Sequence, residues 1–293
     1  MDLKNTVQTI ADFIPQYCRR NKVILQDKTR KTERKKVNVH YWRKNKRGGQ
    51  EDNLGDYLSL VLVEEMKQHL SIDDEKKLKK TKHLYAIGSI LQAGYQNATV
   101  WGSGFLDNPL GGKFGYISHG SVLRKLDVRA VRGPLTRDVL LKLGHECPEI
   151  YGDPAILMPL FYQPKKLDKT SPYVVVRHYL DKEKQENDIN ILTTDYQAFI
   201  DALYSSERVI SSSLHGIILA ESYGIPAVLY LPQATEGDLT LYKYKDYYFG
   251  TGRTEFPVAT TIEEALAAKP CPIPDMTKLR ENLLRAFPAD LWK

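Results

Sequence analysis

The sequence predicts an α/β protein built on parallel sheets, and three observations carry that prediction. Short β-branched runs alternate with helix-length segments through both halves of the chain. Glu207–Pro232 spells out one complete βαβ unit: a strand at Arg208–Ile210, three serines, a helix over about Leu214–Tyr223 stopped by Gly224, and a buried strand at Ala227–Leu231 entered through Pro226. The 293 residues, 42% hydrophobic and 27% charged, are ordinary for a globular protein. That length has room for two domains of roughly 100–200 residues each.

From the N-terminus, Val37–Trp42 alternates as a strand and Arg43–Asp52 is a polar, glycine-containing loop. Asn53-Leu-Gly-Asp56 opens a helix to about His69, with Leu58, Val61, Leu62, Met66 and Leu70 on one face. Asp56 is placed to cap it. Leu84–Ile90 and Thr99–Gly102 are short buried strands; the second runs into Gly102, Ser103 and Gly104, where glycines let backbone approach a ligand. Asp127–Val131 is a strand, followed by a helix from Pro134 that Gly144 stops. Polar, proline-containing Gln163–Pro172 is the best linker and divides the chain into 1–165 and 172–293. Beyond it, Tyr173–Val176 and Ile189–Leu192 are strands, Tyr196–Tyr204 is a helix, and Thr277–Phe287 is a last helix able to pack back across the linker.

Several function classes are excluded or weakened. No run approaches the roughly 20 apolar residues of a membrane span, and Met1–Gln16 lacks a signal peptide's layout, so a cytoplasmic protein is expected. Cys18, Cys147 and Cys271 are far apart, which argues against a disulfide framework, and no pair has zinc-site spacing. With no His-Glu-x-x-His or Asp-x-Asp motif either, no metal is expected. Gly102-Ser-Gly104 continues to Asp107 and is not a dinucleotide fingerprint; Gly112-Lys113 lacks the rest of a P-loop.

The net charge of +6 is concentrated between Arg19 and Arg47, where thirteen Lys and Arg face only Asp27 and Glu33. Such an arm is a solvated face, a contact for an anionic membrane surface, or a nucleic-acid contact. Aromatics are few in it until Tyr41 and Trp42, so it offers no stacking platform for single strands and nucleic acid is the least favoured partner.

The serines and His215 fall where strand becomes helix. In an open parallel sheet ligands bind beyond the carboxyl ends of the strands, and helix N-termini hold anions. A histidine on that first turn is placed as a general acid, against the plainer reading of a serine N-cap and a packed ring. His178, after the strand ending in Arg177, is a second candidate proton carrier beside a packing role.

Seven motifs in order resemble the polysaccharide pyruvyltransferase family: Asn53-Leu-Gly-Asp56, Ala86-Ile-Gly-Ser89, Val100-Trp-Gly-Ser-Gly104, Val131-Arg-Gly-Pro-Leu-Thr-Arg137, Gly152-Asp-Pro-Ala155, Ser212-Ser-Leu-His-Gly216 with Gly224-Ile-Pro226, and Lys243-Tyr-Lys-Asp-Tyr-Tyr248. The resemblance implies two Rossmann-like domains facing a cleft, as in GT-B glycosyltransferases. It also implies an enzyme that moves the enolpyruvyl unit of phosphoenolpyruvate onto two hydroxyls of a sugar, giving a cyclic ketal and phosphate. The acceptor it implies is a polysaccharide repeat unit, often lipid-linked, which would give the basic arm a use at the inner face of the membrane. Phosphoenolpyruvate is then a co-substrate and no cofactor is needed.

By the same resemblance His215 is the general acid, Leu214 and Gly216 lie close to the donor, and Arg132 binds it through a planar fork. Some relatives carry arginine where this chain has Ser213; Arg177 is placed to supply that anion contact instead. Asn53 and Asp56 line the acceptor side. Asp153 either binds substrate or shapes its turn, and Ser212 completes the serine run. Lys243, Asp246 and Tyr247 belong to a cleft-facing loop. A GT-B glycosyltransferase with a nucleotide-sugar donor is the alternative, since fold does not fix function. A non-catalytic protein acting through its basic arm is a further rival.

Overall fold

Two parallel sheets organise the chain in a computed structural model that describes residues 36–42, 52–73, 78–92, 96–108, 124–165, 168–181, 185, 188–232 and 241–293. The first sheet holds β1 (Val37–His40), β2 (Lys82–Tyr85), β3 (Ala98–Trp101) and β4 (Leu126–Ala130) in that spatial order. All of its pairings are parallel. Every residue of β3 is buried, as a parallel strand covered on both faces must be. Helix α1 (Leu54–His69) buries Leu58, Leu62 and Met66 against this sheet's core, and α2 (Pro134–Lys142) follows β4.

The second sheet comprises β5 (Val174–Arg177), β6 (Ile189–Asn190), β7 (Val209–Ser211), β8 (Ala227–Tyr230) and β9 (Val258–Ala259). Its order is β6-β5-β7-β8-β9, again all parallel. The chain therefore steps one way from β5 to β6 and the other way to β7. That reversal opens a crevice beyond the carboxyl ends of β5 and β7, the ligand position of doubly wound sheets. Helices α3 (Tyr196–Tyr204), α4 (Leu214–Ser222), α5 (Tyr242–Gly250), α6 (Ile262–Ala267) and α7 (Thr277–Ala286) complete this half. Helix α4 is buried all round, and Gly224, at φ 76°, ends it.

One apolar cluster runs through both sheets, joining Leu58 and Trp101 of the first to Val176 and Ile217 of the second. A 3₁₀ segment, Pro154–Leu160, packs against both α1 and α4. Helix α7 ties the halves together. Trp101 Nε1 donates to the Leu283 carbonyl (2.9 Å), while Arg280 donates to the carbonyls of Ile156 (2.9 Å) and Ser222 (2.7 Å). Leu54 N donates to Ile191 O (2.9 Å), so the start of α1 is sewn to the second sheet.

Three local expectations are corrected. The strand expected over Leu84–Ile90 ends at Tyr85, because Gly88 turns the chain at φ 102°. Asn53, not Asp56, caps α1: its Oδ1 accepts from Gly55 N (3.0 Å). The expected loop at Lys243–Tyr248 is helix α5, which buries Tyr244, Tyr247 and Tyr248 at helical spacing. Most of the basic arm Arg19–Arg47 lies outside the described residues. No helix among the described residues is long and apolar enough to cross a membrane.

Candidate active site

The crevice at the β5/β7 switch collects the candidate chemistry. Strand β7 ends at Ser211, whose Oγ lies 3.0 Å from the Val176 carbonyl on β5 and accepts from Ser213 N (3.0 Å). Those bonds hold the serine run tight against β5. Ser212 Oγ accepts from His178 N (2.7 Å) and donates to Asp181, and Tyr244 of α5 donates to the Ser212 carbonyl (2.7 Å). Ser213 takes the N-cap position of α4 without a side-chain cap bond, so the first-turn N–H groups at Leu214 and His215 are left for an anion.

His215 sits on that turn, almost fully buried. Its Nε2 faces Asp153 Oδ2 at 3.5 Å, and neither atom has a hydrogen-bond partner among the described residues. Asp153 is fixed from the other side, its Oδ1 accepting from Ala155 N (3.0 Å). The opposite edge of the ring lies flush on α1: a Cβ built on Gly55 would stand 1.9 Å from His215 Nδ1. Only glycine at that point lets the helix and the imidazole meet.

Two charged groups line the crevice with no side-chain hydrogen bond or ion pair among the described residues. The half-buried carboxylate of Asp56 makes no hydrogen bond or ion pair among the described residues, and lies so close to Gly88 that a Cβ there would be 2.5 Å from Oδ1. Burial pushes its pKa up from 3.8 to about 6, against the downward pull of His215 and Lys243. Lys243, half-buried on α5, likewise forms no ion pair; its Nζ stands 4.9 Å from the Tyr244 ring centre. Burial and the charge of Arg132 push its pKa down from 10.5 to about 8, while Asp56 and Asp181 oppose the shift. Burial, then Lys243, lowers the pKa of His178 from 6.5 to about 3, which favours the neutral imidazole.

Other predicted residues are engaged by the protein itself. Arg132 lies beneath the crevice, 1% exposed, and does not present a fork to a ligand. Its guanidinium donates to Asp246 (3.1 Å), Ser89 Oγ (2.7 Å) and Phe105 O (2.6 Å). Gly104 makes room for that guanidinium, which a Cβ would approach to 2.6 Å; Gly102 makes room for Pro154, and Gly216 for Ser211. Their close approaches are thus to protein atoms. Ser103 is fully buried. Asn53 spends its side-chain oxygen on the cap. Arg177 turns to the far side of β5, bonded to Asp188 and stacked 5.4 Å from the Tyr230 ring centre, and does not replace an arginine at Ser213. Tyr247 is fully buried and donates to Glu221 (2.7 Å), which Arg253 grips through two 2.7 Å contacts.

Asp246 and residues the sequence did not single out build the crevice's support. Asp246 joins Arg132 to Thr136, accepting from Thr136 N (3.0 Å) and Oγ1 (2.6 Å), which locks α5 onto the turn after β4. The buried Glu221–Arg253 pair anchors the same helix from the other side. Nothing in the local sequence marks Asp181, but the tyrosine spacing of α5 is a readable signal for a buried helix. Among the described residues, no group of three or more His, Cys, Asp or Glu is arranged to hold a metal ion.

A doubly wound sheet with an open helix start, a carboxylate-backed histidine and a half-buried lysine defines an α/β site suited to an anionic ligand. Comparison with known proteins sharpens this: residues 53–232 match the sequence profile of the polysaccharide pyruvyl transferase family, and the chain belongs to that family. The matched span holds Asp56, Asp153, the serine run and His215, while Lys243 and the rest of α5 lie beyond it. The chain is also similar to the uncharacterized protein L143 of Acanthamoeba polyphaga mimivirus, 25% identical over 249 residues, which cover 79% of this chain and 80% of that protein.

Proposed function

We propose that this transferase moves the enolpyruvyl unit of phosphoenolpyruvate onto two hydroxyls of one sugar in a polysaccharide or lipid-linked oligosaccharide. The products are a cyclic pyruvate ketal and phosphate. The two parallel sheets act as Rossmann-like halves of a GT-B-type enzyme, divided near residues 165–172, with the donor held mainly by the second. The observation that carries the reading is His215, backed by Asp153 and close to Asp56, which Lys243 also neighbours and which has no ion pair among the described residues.

The donor is a small dianion or trianion. The uncapped start of α4 and the Lys243 ammonium take its oxyanions. His215, backed by Asp153, gives a proton to the methylene carbon, which makes the adjacent carbon oxocarbenium-like. A sugar hydroxyl adds to that carbon and loses its proton to the Asp56 carboxylate. The C–O bond to phosphate then breaks, the departing phosphate taking the electron pair, and the second hydroxyl closes the ring with loss of its proton. Two hydroxyl protons leave the acceptor and one appears in the new methyl group, so the other leaves with phosphate or solvent.

The basic arm supplies an electrostatic contact to anionic lipid at the inner membrane face, which brings the enzyme to a lipid-linked acceptor. Sedimentation with anionic but not neutral vesicles, weakening as salt rises, is the expected behaviour. For the reaction itself, the test is phosphate release from phosphoenolpyruvate in the presence of a sugar-acceptor panel. Turnover of a nucleotide-sugar with none of phosphoenolpyruvate would replace this reading by a glycosyl transfer.

A further inference from the structure

We infer that a basic cleft at the amino ends of the first sheet's strands binds a carboxylate-bearing stretch of the polysaccharide, apart from the reacting crevice. This rests on the pyruvyl-transfer reading above and adds a holding site for the chain that the reaction makes acidic. Arg132, beneath the crevice, follows β4, and Gly104, which makes room for it, follows β3, so the carboxyl edge of this sheet faces the crevice. The cleft is lined instead by residues that enter strands: residues 79–82 lead into β2, Asn97 precedes β3 and Lys125 precedes β4. It therefore opens at the opposite edge of the sheet. Leu291, in the 3₁₀ turn Ala289–Trp292, closes one side. The volume of the cleft is about 740 Å³, within the roughly 300–1,000 Å³ of small-ligand sites.

Charge selects the ligand. Lys79, Lys80 and Lys125 are exposed and form no ion pair among the described residues. Asp127 and Asp290 also line the cleft, but both are engaged by Arg129, at 2.7 and 3.1 Å, and do not neutralise these lysines. Asn97 Oδ1 accepts from Lys125 N (2.8 Å), while its NH₂ group has no partner among the described residues. Thr81 adds a half-buried hydroxyl. Ammonium groups beside an amide and a hydroxyl match a sugar chain that offers carboxylates on some rings and hydroxyls on all. No Phe, Tyr or Trp lines the cleft, so a nucleobase finds no stacking partner. Arg129 spends its fork on the two oxygens of Asp127 (2.7 and 2.9 Å), so the planar guanidinium that favours phosphate is not on offer. Lysines act as separate point charges, which suits single carboxylates spaced along a polymer. Each ketal formed in the crevice adds one such carboxylate, so the product meets the cleft with more charge than the acceptor did.

The test is isothermal titration calorimetry on the full chain at low salt. The probes are trigalacturonic acid as a carboxylated sugar chain, maltotriose as a neutral one, and inorganic tripolyphosphate and phosphatidylglycerol vesicles as phosphate sources. Trigalacturonate is expected to bind saturably and maltotriose far more weakly. Combining Lys79→Gln, Lys80→Gln and Lys125→Gln is expected to weaken trigalacturonate binding about 3- to 100-fold, the joint worth of three exposed ion pairs. Far-UV circular dichroism and the thermal shift produced by phosphoenolpyruvate should match the parent, since these side chains are exposed and lie away from the crevice. No binding of trigalacturonate, or equal binding of maltotriose, would overturn the cleft. So would a trigalacturonate affinity that the three substitutions leave unchanged, including the case where they weaken only tripolyphosphate or vesicle binding. Binding of trigalacturonate at these lysines without turnover of phosphoenolpyruvate would defeat the pyruvyl-transfer reading and leave the cleft. Turnover of phosphoenolpyruvate with no trigalacturonate binding would do the reverse.

Discussion

Replacing Asp56 by asparagine is expected to stabilise the protein at neutral pH while removing most of its activity. Folding raises the Asp56 pKa from 3.8 to about 6, chiefly because burial disfavours the charged form. The native state therefore binds more protons than the unfolded state between those values, so stability falls as pH rises through that window and the cost is complete above it. A rise of about two units at 1.4 kcal/mol each gives a cost of about 3 kcal/mol near pH 7.5, shrinking below about 1 kcal/mol near pH 4. The amide keeps the shape of the side chain and has no charge to desolvate, so Asp56→Asn recovers most of that cost. Urea unfolding of both proteins at the two pH values measures it as a difference in midpoint at equal slope. Turnover is expected to fall about 10²- to 10⁴-fold with loss of the base. A variant no more stable than the parent near pH 7.5, or equally stabilised at both pH values, would refute the reasoning.

Three other perturbations separate proton transfer, positioning and scaffold. His215→Gln should lower turnover by about 10²- to 10⁴-fold with an unchanged unfolding midpoint; near-normal turnover would remove His215 from the chemistry. Gly55→Ala puts a methyl where the His215 ring lies, so a loss of turnover should accompany retained helix content, and wild-type kinetics would show that the ring does not need that face of α1. Arg132→Ala leaves Asp246 buried without its charge partner and should cost about 3–5 kcal/mol in urea unfolding. Wild-type stability with a raised KM for phosphoenolpyruvate would instead return Arg132 to the donor.

Much of the second sheet was legible because its strands are β-branched runs punctuated by glycine and proline. The helix from Tyr196 to Tyr204 was read at its observed ends, and the Ser212–Gly216 turn was located with its strand and helix. The site was legible as a place more than as a set of contacts. Arginine, glycine and tyrosine in a motif look the same whether they meet a ligand or each other. Arg132, Gly104 and Asp246 form one interlocked unit across a sequence separation of more than a hundred residues, and no local pattern reveals that pairing. Likewise, Asp56 is an N-terminal helix residue in the sequence, but Asn53 already caps the helix, which frees its carboxylate for the crevice. The approach of Gly55 to His215 is equally invisible until α1 is sewn to the second sheet through Leu54 and Ile191.

The most direct test of the central claim is a single incubation of the purified protein with phosphoenolpyruvate and the sugar-acceptor panel. Released phosphate is followed by colorimetry and the sugar by mass spectrometry and NMR. The account expects phosphate and a ketal-bearing sugar to appear in equal amounts, with a new methyl resonance and two substituted hydroxyl positions, and neither product with His215→Gln. Phosphate without a modified sugar, or a sugar carrying an enolpyruvyl ether at one hydroxyl only, would contradict it.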